Sequence, residues 1–223
     1  MAKCLIILLL LAGCTSNKKI LVLSETAGFR HDSIETGVEA VQKICNEEGW
    51  EFTATEDSSK LISEQYDCVV FLSTTGDILN DDEQTHLKNF VEHGGGFVGI
   101  HAAANTEEEW DWFADTLLGA TFVRHDPVKP LVVEVVDECH LSTSHLPSEW
   151  QRVDEWYIYN RIPENVKVLL MIEDKDGRRP IAWCRAVKEG KTFYTGGGHT
   201  KAAWQEPLFL QHVQGGIEWS ITP

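Results

Sequence analysis

Basic residues are scarce in this sequence: 19 Lys and Arg stand against 35 Asp and Glu, a formal net charge of −16. Such a surface repels phosphate backbones, whose binders need clustered Lys and Arg to displace counterions, so nucleic acid is excluded as an expected partner. Long apolar runs are missing too. The stretch Cys4 to Leu11 falls far short of the roughly 20 apolar residues that a spanning helix needs. The six cysteines show no CxxC spacing, no HExxH is present, and no GxGxxG opens the first helical stretch, so a nicotinamide cofactor is not expected. Repeats, low-complexity tracts and linkers are lacking, and methionine occurs only twice. What the chain does have is a globular composition, 43% hydrophobic, with eight Trp, 17 Gly and nine His, and a length fit for one core.

The first residues read as a targeting segment. Lys3 precedes a short apolar core that ends in Leu11-Ala12-Gly13-Cys14, which resembles the bacterial lipobox, with small residues before a cysteine that becomes lipidated. The expectation is a lipoprotein signal peptide over 1–13, a short lipidated tether over 14–19 with Cys14 as the anchor, and an exported protein facing the periplasm that meets the membrane only through lipid. Cys45, Cys68, Cys139 and Cys184 would remain, and no bridge among them is expected.

From Ile20 short apolar runs alternate with amphipathic stretches. ILVLS at 20–24, a helical stretch from Asp32 and WEFTAT at 50–55 make a βαβ opening. Asp32 with Glu35 three residues on resembles a capping box, and Gly49 is a stop signal. YDCVVFLST at 66–74 is nearly all apolar, as for a parallel strand covered on both faces. A helix over Asp81–His93, a strand at 97–103 and a helix over Glu107–Leu118 follow. Strands near 131–137, 166–173, 180–187 and 191–196 and a helix near 207–219 complete the chain, partly antiparallel. The expected fold is one α/β domain over 20–223, doubly wound around a mostly parallel, flavodoxin-like sheet with antiparallel additions in its second half.

In such folds ligands bind beyond the carboxyl ends of the strands. Four segments bring polar residues there: SETAGFRHDS, STTGD, GIHAAANT and TGGGHT. Each joins Gly or Ala, which let backbone approach a ligand, to groups able to bind hydroxyls or move protons.

GFRHDSI at 28–34, FLSTTGD at 71–77, GGGFVGIHAA at 94–103, DEWY at 154–157, PIAW at 180–183 and FYTGGGHT at 193–200 resemble the ThuA-like, or trehalose-utilisation, family across nearly the whole chain after the tether. The resemblance implies a class I glutamine amidotransferase-like fold and a link to bacterial sugar catabolism, with 3-keto sugars among the expected substrates. It does not imply amidotransferase chemistry. Those enzymes carry a nucleophilic Cys in a G-x-C-x-G turn, where this chain reads Gly99-Ile100-His101-Ala102-Ala103, without thiol or hydroxyl.

The candidate catalytic residues are His101, His199 and Glu155, in proton transfer or as ligands of a divalent metal; the plain alternatives are a core histidine, a tight glycine turn and a solvated carboxylate. His31, Asp32, Thr75, Asp77, His125 and Trp183 are candidate substrate contacts, Asp32 being equally readable as a helix cap. Trp156, Tyr157 and Trp183 are candidates for an apolar platform under a sugar ring, or plain core. His140 and His145 are expected in exposed loops, and His86, His93 and His212 on solvated helix faces. Two functions are compatible with this set: an enzyme acting on a glycoside or 3-keto sugar by acid/base or metal-assisted chemistry, and a carbohydrate-binding module without chemistry.

Overall fold

The computed structural model describes residues 17–222. Cys14 and the apolar run before it lie outside the described residues, among which no helix is long and apolar enough to cross a membrane.

The first half alternates strand and helix: β1 (Lys19–Leu23), α1 (Ile34–Glu48), β2 (Glu51–Thr55), the short α2 (Lys60–Ser63), β3 (Cys68–Leu72), α3 (Asp81–Glu92) and β4 (Gly96–Ile100). Short strands dominate the second half: β5 (Phe122–His125), β6 (Lys129–Val135), β7 (Glu149–Asp154), β8 (Tyr157–Tyr159), β9 (Lys167–Asp174), β10 (Gly177–Val187) and β11 (Gly190–Thr195), before α4 (Pro207–Ile221). One sheet of nine strands runs β2-β1-β3-β4-β11-β10-β9-β6-β7, with β5 and β8 paired in a separate ribbon. Pairing is parallel from β2 to β11 and antiparallel from β11 to β7. The expected mostly parallel α/β sheet with antiparallel additions is therefore what the chain forms.

β3 and β4 are buried at every residue because both faces of the parallel half are covered. Side chains alternate across the sheet. Ile20, Val22, Val70 and Ile100 meet Val41, Phe209, Val213 and Ile217 of α1 and α4 on one face, while Leu21, Leu23, Phe71 and Phe97 meet Leu87, Phe113 and Leu117 on the other.

Four local expectations are corrected. Asp32 does not cap α1: Ser33 holds the N-cap position, and its hydroxyl donates to the Gly198 carbonyl (3.2 Å) instead of capping the helix. The capping box opens α3, where Asn80 and Glu83 bond each other's backbone. No helix begins at Glu107, whose buried carboxylate accepts the Ile78 and Leu79 amides (2.7 and 2.8 Å); a wide helical turn starts later, over Trp112–Leu118. His140 and His212 are buried rather than solvated.

His212 donates from Nδ1 to the Ser142 carbonyl (2.8 Å) and takes the Thr195 hydroxyl at Nε2 (3.2 Å), a set that suits the neutral ring. Burial lowers its pKa to about 3 and that of His140 to about 4. The unfolded chain titrates both near 6.5. Below that pH it binds protons that the folded state refuses, so stability falls as pH drops from 6.5 towards 4. At pH 5 the loss is about 2 kcal/mol per histidine. Urea unfolding at pH 7.5 and pH 5 checks this: a His212→Gln variant should lose about 2 kcal/mol less than the native chain between the two pH values; an equal loss in both chains would refute it.

Candidate active site

Three connections leave the carboxyl ends of β1, β4 and β11 in the parallel half, and the β7–β8 connection and the end of β5 join them. The loop after β1 carries His31. His101 directly follows β4 and adopts a positive φ of 51°, an uncommon conformation for a residue other than glycine. The Tyr194 hydroxyl donates to its carbonyl (2.9 Å) and holds that strained peptide. β11 runs into Gly196-Gly197-Gly198, where Gly198, at φ 105°, turns the chain so that His199 re-enters the site. Glu155 sits between β7 and β8, and His125 ends β5.

These side chains form one cluster. Nε2 of His101 lies 3.1 Å from Nδ1 of His199 and 3.6 Å from the Glu155 carboxylate, which is itself 3.2 Å from Nδ1 of His199. The His31 ring packs edge-on against His101 (4.9 Å) and His199 (5.2 Å). One nitrogen or oxygen from each of His31, His101, Glu155 and His199 lies within 4.8 Å of the others. His101, Glu155 and His31 are buried; His199 and His125 reach solvent, His125 with 44% of its side chain exposed.

A second layer of contacts aims these groups. His101 Nδ1 faces the Gly196 carbonyl (3.0 Å), which assigns the proton there and leaves the Nε2 lone pair to the cluster. His125 Nδ1 lies 2.8 Å from one Glu155 oxygen, so the other is turned to His101 and His199. Buried Asp154 accepts the backbone N–H of Gly198 (2.8 Å) and of His199 (3.2 Å) and pairs with Arg152 (3.2 Å). Burial raises the Asp154 carboxyl above its ordinary value, although Arg152 and these amides oppose the rise. Tyr157 packs beneath His101, with ring centroids 4.5 Å apart.

Burial lowers His31 to about 4 and holds His101 well below its ordinary value, so both rings are neutral at pH 7. The hydrogen bond to Glu155 raises His199. His31 Nδ1 is buried without a hydrogen-bond partner. Neutral imidazoles, a carboxylate and an orphaned buried nitrogen suit a divalent cation. Bonds of about 2.0–2.1 Å keep tetrahedral ligands roughly 3.3 Å apart, and the spacings among His101, His199 and Glu155 are 3.1 to 3.6 Å. A second acidic group, Asp126, Asp174 and Asp176, is different: Lys129, Lys175, Arg124 and Arg179 already neutralise it.

Of the residues expected from sequence, His101, His199, Glu155, His31 and His125 are brought together. The others are not. Asp32 points outward, its side chain 82% exposed and 3.6 Å from Lys201. Thr75 is buried and donates its hydroxyl to the Phe29 carbonyl (3.0 Å). Asp77 lies in a surface hollow with Gln84, Glu107 and Trp110. Trp183 is buried against Tyr194 and donates to the Leu118 carbonyl (2.7 Å), and Trp156 is buried with its indole N–H on the Lys129 carbonyl (2.9 Å), so neither offers a face to a sugar. Tyr157, also buried, supports His101. Sequence reading passed over Arg152 and Asp154 as parts of the site; the alternating burial of β7, EWQRVD, is the signal that aims both inward.

The family model described as ThuA, trehalose utilisation, matches residues 19–220. A ThuA-like protein from Bacteroides uniformis is 25% identical, with 94% of each chain covered and a TM-score of 0.78. One from Parabacteroides merdae is 21% identical, with 92% of this chain and 90% of that chain covered and a TM-score of 0.79. No curated protein matches significantly.

Proposed function

Because the chain belongs to the ThuA, trehalose-utilisation family, we propose that it is a carbohydrate-processing enzyme that acts on a glycoside or 3-keto sugar with the help of a divalent metal. The observation that carries this reading is the convergence of His31, His101, His199 and Glu155, with one ligand-type atom of each within 4.8 Å of the rest. These four residues would hold the ion, which when bound supplies Lewis-acid polarisation of a substrate oxygen or an activated water.

The chain's own residues do the remaining work. The Gly196 carbonyl fixes the tautomer of His101, and His125 orients the Glu155 carboxylate. Asp154 fixes the backbone at His199. Substrate enters from the side of His199 and His125, where the cluster meets solvent. Acyl transfer by a thiol is not part of this reading, since the residue after β4 is His101. The chain is exported and held at a membrane face, towards the periplasm, by lipid on Cys14; the sequence Leu11-Ala12-Gly13-Cys14 supports this part.

The test is a mass-spectrometric product screen of the purified protein against trehalose, other glucosides and their 3-keto derivatives, with and without EDTA, alongside metal analysis of the same sample. Product that disappears with EDTA and returns on adding manganese or zinc is expected. Product insensitive to EDTA would leave the enzyme and remove the metal; sugar binding without any product would replace the enzyme by a binding module.

A further inference from the structure

The aromatic side chains that sequence alone offered as a sugar platform are buried, yet one aromatic ring does stand at the mouth of the cluster. Phe29 is 69% exposed, the only exposed Phe, Tyr or Trp among the described residues. A lone exposed apolar residue is ordinary on a protein surface. Phe29 differs in how it is seated. The Ala27 and Gly28 amides donate to the Thr75 carbonyl (2.8 and 3.3 Å), and the Thr75 hydroxyl donates to the Phe29 carbonyl (3.0 Å). Gly28 lies so close that a Cβ there would meet the Thr75 Oγ1 at 3.2 Å. The backbone beneath the ring is therefore pinned to the loop after β3. The ring stands edge-on to His31, with centroids 4.9 Å apart and planes at 87°, while most of its surface stays open.

A fixed aromatic face costs little ordering when a ligand arrives. Its π surface is electron-rich, and the axial C–H bonds on one face of a pyranose carry the opposite polarity, so the two stack. The geometry points to Phe29 as the platform on which the apolar face of a pyranose lies while the sugar's oxygens reach the His31, His101, His199 and Glu155 cluster; this rests on the carbohydrate reading above. It also gives Thr75 a part in the site, as the anchor of the platform rather than as a contact to hydroxyls.

The test uses the full chain loaded with manganese, with trehalose and methyl glucoside as probes in calorimetric titrations and manganese affinity measured by calorimetry in the same way. Phe29→Ala should weaken sugar binding about tenfold, Phe29→Trp should match or exceed the native chain, and manganese affinity should stay within about twofold in both. Unchanged sugar affinity in Phe29→Ala, with manganese bound, would overturn the platform and leave the carbohydrate reading standing. A native chain that binds manganese but neither sugar would overturn that reading, and the platform with it.

Discussion

Replacing His101 by alanine is expected to lower divalent-metal affinity by more than about a hundredfold and to abolish turnover while the chain still folds. The estimate is a lower bound, because losing an outer-shell partner of a metal ligand already costs about 10- to 100-fold. His101 is fully buried, packed at a tilt against Tyr157, and held at positive φ, so alanine also loses packing and inherits the strained backbone. A His101→Gly variant separates the two effects. It loses the ligand equally, but glycine adopts that φ freely, so its stability should exceed that of the alanine variant by about 1 kcal/mol. Calorimetric titration with manganese or zinc reads the first effect and urea unfolding the second. Native-like metal affinity in either variant would remove His101 from the ligand set.

The second large effect is expected at Asp154, which touches no substrate. Alanine there leaves the Gly198 and His199 amides without their acceptor and Arg152 without its buried partner. Removing one member of a buried ion pair costs about 3–5 kcal/mol, a large part of a domain's stability. Arg152 keeps Glu206 (2.9 Å) and its seat between Trp150 and Phe209, so the chain should remain folded at low temperature. Asp154→Asn keeps one acceptor oxygen and should cost about half as much. Urea midpoints of the two variants give the comparison. A loss below about 1 kcal/mol in Asp154→Ala would show that the His199 turn holds itself.

The parallel half of the fold was legible because strands buried on both faces, such as CVVFL and GFVGI, leave continuous apolar runs. β5 and β8 were not, being three or four residues long and part of no periodic pattern. The site divides the same way. His101 follows β4 directly, His199 lies one triple-glycine turn beyond β11, and both could be placed by the rule for sheet ends. Burial of Trp156 and Trp183, by contrast, depends on which face of the antiparallel half each strand presents, and period-2 reading fixes that only when the register is known. Phe29 gave no signal, since a phenylalanine in sequence reads as core.

The place of β11 in the sheet bears on how the chain folds. It is the last strand in sequence and yet pairs with β4 near the middle of the sheet. Once β2, β1, β3 and β4 associate, the apolar strand Gly96–Ile100 is left as an open edge until a strand some 90 residues later closes it. An unpaired edge of that kind invites pairing with other chains. The segment that closes the edge, Gly190–Thr195, is the same one that leads into His199. Completion of the sheet and completion of the site are a single late event in folding.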